Sequence, residues 1–134
     1  LNISTLKSLI NQYQNVLLVL LSDNHRQIKI SEKVFNFKDS LLTEFASNFS
    51  NIEMIQSSSL DKKLKNINQL DLLYPGVGDN LDFLKRYIYK KKLEINYLVR
   101  DEDRFSWKYA KKGFFKFKEN IPKINKFIDK AVNI

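Results

Sequence analysis

Between Gln69 and Lys118 the chain alternates short apolar runs with amphipathic stretches, and this alternation limits the fold more than any other feature. The apolar run Leu70 to Tyr74 meets a break at Pro75-Gly76, and an amphipathic stretch then begins at Asp79. This order of strand, tight loop and helix is typical of one unit of an alternating α/β sheet.

The same pattern extends over most of the chain. The run Val-Leu-Leu-Val-Leu-Leu at 16–21 is continuously apolar, which predicts a strand covered on both faces at the centre of a parallel sheet. Five strands are predicted in all: Asn15–Leu21, Asn51–Gln56, Leu70–Tyr74, Leu93–Val99 and Phe114–Lys118. In the last of these, strand alternation predicts that Phe115 and Phe117 point into the core.

Helices are predicted between the strands from apolar residues at helical spacing behind a capping residue. The predicted caps are Ser4, Asp39, the serine run 57–59, Asp79, either Asp101 or Asp103, and Asn120. Residues 28–37 fit either a short hairpin or an irregular insertion. Gly113 is predicted to end the helix before the fifth strand.

These elements predict a doubly wound, five-stranded parallel sheet of the flavodoxin-like or receiver-like type, with strand order 2-1-3-4-5 and an extra N-terminal helix. With 134 residues, one α/β domain over 15–134 and a leading or linker helix over 1–14 account for the chain. Because the chain begins with Leu, we expect it to be a domain excised from a longer protein.

Charge and composition narrow the functions that such a domain can have. Residues 1–84 hold 8 basic and 9 acidic side chains, whereas residues 85–134 hold 15 basic and 6 acidic ones, so the positive charge lies in the C-terminal part. There is no Cys and one His, His25, which excludes disulfides, thiolate chemistry and histidine metal clusters. We expect His25 to be solvated. We also expect that no segment of the chain spans a membrane and that the domain lies in the cytoplasm.

Two stretches carry a resemblance to a known family. Asp71-Leu-Leu-Tyr-Pro-Gly-Val-Gly-Asp-Asn-Leu-Asp-Phe-Leu84 and Gly113-Phe-Phe-Lys-Phe-Lys118, with the helix predicted behind Asn120, resemble the receiver domain of two-component response regulators. The resemblance implies a third strand with its Pro-Gly loop, and a fifth strand that ends in a lysine. That lysine is Lys118, or alternatively Lys116.

The phosphorylation chemistry of that family is matched only in part. The resemblance implies an acidic pair for Mg²⁺, of which Asp23 is a vestigial candidate beside Ser22. Tyr74 and Pro75 stand where the phosphate-accepting aspartate is expected, and Val99 and Arg100 stand where a hydroxyl residue is expected. The chain therefore resembles a pseudo-receiver, for which we expect no catalytic residue, no metal and no cofactor.

We expect such a domain to act in signalling or as a scaffold, through protein contacts on its basic C-terminal face. The predicted partner is an acidic protein surface or a second copy of the chain. The predicted contact residues are Trp107, Lys108, Lys111, Lys112, Lys116, Lys123 and Lys126.

Two alternatives remain open from the sequence. Lysines interleaved with aromatic residues from Arg104 to Lys118 also fit a module that binds single-stranded nucleic acid by stacking and phosphate contacts. The other alternative is a domain of a larger α/β enzyme, with a ligand near Ser22, residues 75–79 and residues 99–101. No nucleophile and base are recognisably paired there.

Overall fold

The computed structural model describes residues 3–132, and the side chains of all of these except Ile3, Ser4, Lys112, Ala131 and Val132. Within this part the helices are α1 (Ile3–Ile10), α2 (Glu32–Ser47), α3 (Leu60–Lys63), α4 (Asp79–Lys91), α5 (Asp101–Trp107), α6 (Phe114–Glu119) and α7 (Ile121–Val132). The strands are β1 (Val16–Leu20), β2 (Ile52–Gln56), β3 (Gln69–Leu73) and β4 (Glu94–Leu98). Three 3-10 turns occupy Asp23–His25, Ser57–Ser59 and Ala110–Lys112.

The described strands form two separate parallel pairs, so the predicted five-stranded doubly wound sheet of order 2-1-3-4-5 is wrong. β1 pairs with β2, with Val16 opposite Ile52 and Leu20 opposite Gln56, and β3 pairs with β4. β1 is therefore not a central strand, and its Val19 side chain is 36% exposed.

The predicted fifth strand is also wrong, because Phe114–Glu119 is the helix α6. Local interactions explain the difference: the Phe117 amide donates to the Gly113 carbonyl, and Lys116 pairs with Glu119 one turn ahead. Phe115, predicted to point into a core, is 79% exposed.

Helix boundaries differ from the sequence prediction at the caps. α2 begins before Asp39: Ser31 is its N-cap, with its hydroxyl accepting from the Val34 amide, and the region predicted as hairpin or insertion supplies the first turn. Asn120 ends α6, where its side-chain amide donates to the Lys116 carbonyl, and α7 begins directly after it at Ile121, as predicted. The helix at Asp79 begins where predicted, after Gly78 at φ 116°.

The chain divides into two compact units, Leu1–Asn96 (unit 1) and Tyr97–Ile134 (unit 2), with the boundary inside β4. The core of unit 1 is formed by Leu21, Ile55, Leu60 and Phe83, where the ends of β1 and β2 meet α3 and α4. Partly buried side chains complete this cluster, among them Leu17 and Leu64.

Candidate functional site

The ends of β1 and β2 are joined by two buried serines. The Ser22 amide donates to Ser57 Oγ at 2.8 Å, and the Ser58 amide donates to Ser22 Oγ at 3.2 Å. Ser22 and Ser57 are 6% and 3% exposed. Each hydroxyl thus satisfies an amide that has just left the strand ladder, which is a structural role for both serines. The sequence assigned the serine run 57–59 to a helix cap; Ser59 of this run is the N-cap residue of α3, but its side chain makes no cap hydrogen bond.

His25 takes part in the same cluster, so the prediction that it is solvated is wrong. Its Nδ1 lies 2.8 Å from Ser57 Oγ, and its ring stacks on Phe83 with the ring centroids 4.7 Å apart. Ser57 Oγ already accepts from the Ser22 amide, and the tautomer of the imidazole decides whether it donates to Nδ1 or accepts from it. No sequence signal pairs His25 with Ser57, because they are brought together only when β1 and β2 align in parallel.

Asp23, the vestigial metal-ligand candidate, stands in the turn that follows β1. Its Oδ1 is buried without a hydrogen-bond partner among the described residues. Within residues 3–132, no three His, Cys, Asp or Glu side chains lie together in an arrangement that could hold a metal ion.

Asp71 lies at the middle of β3 and is held by two neighbours. Tyr13 Oη donates to its Oδ2 at 2.6 Å, and Asn96 Nδ2 donates to its Oδ1 at 3.0 Å. The hydrogen bond from Tyr13, with the bond from Asn96, lowers the pKa of the Asp71 carboxyl below its usual value. The same carboxylate raises the pKa of Tyr13. Asp71 therefore connects the segment after α1 with β3 and β4.

Unit 2 has a small aromatic centre. Phe105 of α5 stacks on Phe127 of α7 with centroids 4.2 Å apart, and Ile124 is buried at 7% exposure. Lys108 lies over the Phe105 ring, its Nζ 3.8 Å from the centroid. This cation–π contact positions one of the predicted contact lysines against the aromatic centre.

Some cations of unit 2 are paired within the unit. Arg100 makes two hydrogen bonds to Asp103, at 2.7 and 2.8 Å, and this ion pair lowers the pKa of the Asp103 carboxyl. Lys116 Nζ lies 3.0 Å from Glu119. The two carboxylates partly neutralise these cations, so the net positive charge of unit 2 comes mainly from its other lysines.

Three lysines share one face of α7. Lys123, Lys126 and Lys130 stand at i, i+3 and i+7, all are exposed, and none forms an ion pair with another described residue. We call this set the lysine stripe. It extends over about 10 Å of helix and lies away from the buried Ile124. Lys130 completes the stripe and was not among the predicted contact residues, although its i, i+7 relation to Lys123 is readable in the sequence.

The other predicted contact residues lie on the elements before α7. Lys111 is exposed, Trp107 is 45% exposed at the end of α5, and the Lys112 side chain lies outside the described part. Lys118, predicted at the end of a strand, lies in α6 instead and is exposed.

Two phenylalanines of α6 are the most exposed aromatic rings of unit 2 in the described part. Phe114 is 69% exposed and Phe115 79%, and their ring centroids lie 5.7 Å apart. Sequence reasoning missed this pair because it treated the segment as a strand.

Comparison of the chain with protein-family models, curated proteins and solved structures found no match. No helix among residues 3–132 is both long and apolar enough to cross a membrane.

Proposed function

We propose that the chain is a non-catalytic binding domain that contacts an acidic protein surface through the lysine stripe of unit 2. The observation that carries the proposal is the set of three exposed lysines on one face of α7, none of which forms an ion pair with another described residue; Lys123 donates only to the neutral Asn120 side chain. Residues 108–134 contain eight lysines and only two acidic residues, Glu119 and Asp129, so the surrounding charge has the same sign. A field of one sign attracts partners of the opposite sign and accelerates their association.

The state of the polar groups in unit 1 supports binding rather than catalysis. Ser57 is the hydroxyl nearest to the single histidine, but it is 3% exposed and already bonded to the Ser22 amide. A buried and fully engaged hydroxyl is a structural group, since it cannot reach a substrate carbonyl or phosphoryl group. The receiver resemblance remains a prediction, and the proposal does not depend on it.

The spacing of the stripe defines the ligand that tests the proposal. An acidic helix with glutamates at i, i+3 and i+7 presents three carboxylates over about the same 10 Å. The probe is therefore a peptide of about 20 residues with this pattern, long enough to form a helix on binding. A scrambled peptide of identical composition serves as the control ligand.

We expect the patterned peptide to bind the full chain, with affinity that falls as salt is raised from about 50 to about 200 mM. The triple variant Lys123→Gln, Lys126→Gln, Lys130→Gln removes three exposed ion pairs of about 0.2–1 kcal/mol each, so binding weakens about tenfold. The measurement is fluorescence anisotropy of the labelled peptide.

A matched variant distinguishes binding by the lysine stripe from a general effect of the net charge of the chain. Lys33, Lys62 and Lys65 are exposed lysines of unit 1 without an ion pair in the described part, and their replacement by Gln changes the net charge equally. We expect this control to bind the patterned peptide almost as the natural chain does. Equal losses in the two triple variants, or no peptide binding at low salt, would contradict the proposal.

A second candidate function has its own observation. Phe114 and Phe115 are exposed on α6, among lysines, which removes the reason for treating these rings as core residues. Exposed aromatic rings beside lysines bind single-stranded nucleic acid by base stacking and phosphate contacts.

An oligothymidylate distinguishes this second candidate from the first. Stacking makes binding sensitive to Phe114→Ser and Phe115→Ser, by about 1–3 kcal/mol for each base that stacks on a ring. The acidic peptide has no bases to stack, so its affinity for the Phe variants should be almost unchanged. Tighter binding of the oligonucleotide, lost in the Phe variants, would favour the second function over the first.

A further inference from the structure

A cleft of about 280 Å³ lies in unit 1 beside the end of β1. Residues 19–21 and the side chains of Leu41 and Leu42 on α2 form its apolar walls. Its polar lining consists of Arg26, Lys38 and Asn80. The cleft lies just below the range of about 300–1,000 Å³ that is usual for drug-sized ligands, so it suits a small molecule.

Arg26 is held in place but incompletely satisfied. Its Nη2 donates to the Leu21 carbonyl at 3.0 Å, which fixes the guanidinium at the end of β1. Its Nε is buried and has no hydrogen-bond partner in the described part of the chain. Because this Nε is closed off from solvent, a ligand in the cleft would have to use the donors on the terminal nitrogens of the guanidinium.

The charged side chains that line the cleft are both cationic. Lys38 is exposed and makes no ion pair with a described residue, and no lining residue is acidic. Asp79 and Asp82 stand in the first turn of α4, next to Asn80 in sequence, but neither lines the cleft. Two cations and Asn80 thus line a cleft whose other walls are aliphatic.

We propose that this cleft binds a small monocarboxylate with a short apolar chain. The carboxylate accepts from the Arg26 guanidinium and pairs with Lys38, while the alkyl chain packs against Leu41, Leu42 and the β1 residues. A planar carboxylate matches the fork of donors on a guanidinium, which gives the arrangement its specificity. The inference goes beyond the proposed function, because it concerns unit 1 and makes no use of the lysine stripe.

The test compares three ligands that share one alkyl chain: octanoate, octanol and octylamine. Titration of the full chain, followed by amide shifts in heteronuclear NMR, reports both affinity and place of binding. We expect saturable binding of octanoate, with shifts concentrated at residues 19–21, 26, 38–42 and 80. Octanol should bind at least about tenfold more weakly because it lacks the charge that Arg26 recognises, and octylamine should not bind there.

Variants of Arg26, Lys38 and Leu41 test the roles proposed for these residues in octanoate binding. Arg26→Gln should weaken octanoate binding at least about tenfold, and Lys38→Gln about threefold. Because Arg26→Gln also loses the bond to Leu21, a second variant uses an exposed residue: Leu41, at 52% exposure, can be replaced by Trp, which fills the cleft and should abolish binding. Lys33→Gln is the matched control on the same helix and should bind octanoate normally.

Three results would overturn the proposal. They are equal affinity for octanol and octanoate, octanoate shifts that lie outside the cleft, and unchanged binding in a folded Leu41→Trp variant. The triple Gln variant of the lysine stripe should retain full octanoate affinity, so failure of this proposal and failure of the proposed function are distinguishable.

Discussion

The end of the β1–β2 pair and the segment around α6 contain similar residues and use them in opposite ways. In unit 1, Phe83 is 9% exposed and stacks on His25 beside two buried serines. In unit 2, Phe114 and Phe115 are 69% and 79% exposed. Phenylalanine is thus buried in one region and exposed in the other, so apolar character alone does not determine burial.

The difference comes from what each segment can pair with. β1 and β2 pair in parallel over five residue pairs, and α3 and α4 pack against their ends. The segment at 114–119 satisfies its backbone locally as a helix of six residues, which leaves its rings on the surface. The comparison predicts that the stability of the fold depends more on the first region than on the second.

The largest expected effect is in the core of unit 1. Leu60 is 2% exposed, and Leu60→Ala should lower the free energy of unfolding by about 2–5 kcal/mol because it leaves a cavity. Phe114→Ala removes more atoms, but it removes them from the surface, so it should change the free energy of unfolding by less than about 0.5 kcal/mol. Urea unfolding followed by circular dichroism measures both. A larger loss in the Phe114 variant would reverse the comparison.

The next largest effect concerns the serines that join β1 to β2. Ser57→Ala leaves the Ser22 amide buried without its acceptor, which should cost about 1–3 kcal/mol of stability. Ser58→Ala is the matched control, since Ser58 is exposed and contributes its backbone amide to the cluster. Equal urea midpoints for the two variants would mean that water replaces the hydroxyl.

A smaller effect is expected at the turn before α6. Gly113 has φ 83° and ψ 172°, a conformation that is almost exclusive to glycine. No atom lies within 4 Å of an added Cβ, so Gly113→Ala would suffer from backbone strain alone, about 1–2 kcal/mol. Lys111→Ala in the same segment should be neutral. If the alanine variant unfolds at the same urea concentration as this control, the turn relaxes without cost.

Sequence reasoning located β1 to β4 to within about two residues at each end, because short apolar runs between turn residues are strong local signals. It failed at Phe114–Lys118, because the five residues Phe-Phe-Lys-Phe-Lys are too few for their hydrophobic periodicity to distinguish a strand from a helix. The error followed from expecting a fifth strand to complete a sheet. Pairing of strands into one sheet or two depends on distant contacts, which a single sequence does not report.

The same limit applies to the candidate sites. The lysine stripe is readable from spacing once α7 is assigned, and most of its members were predicted from the charge of the C-terminal part. The contact of His25 with Ser57 joins residues 32 positions apart, and the cleft joins Arg26 to α2 and Asn80. Such clusters depend on chain alignment, and no local pattern marks them.

The smallest effect is expected at Asp71, an exposed group that joins parts of unit 1 through Tyr13 and Asn96. Its pKa is lower in the folded chain than in the unfolded chain, so its contribution to stability is complete above the unfolded pKa and is lost as pH falls through the folded one. Asp71→Asn should therefore be slightly less stable than the natural chain at neutral pH, and the two should converge in acid, below the ordinary range of aspartate. Thermal unfolding of both chains between neutral pH and about pH 3 measures this convergence. A difference that persists unchanged in acid would mean that the amide disturbs β3 by its shape, and that the charge of Asp71 contributes nothing to holding Tyr13 and β4 beside it.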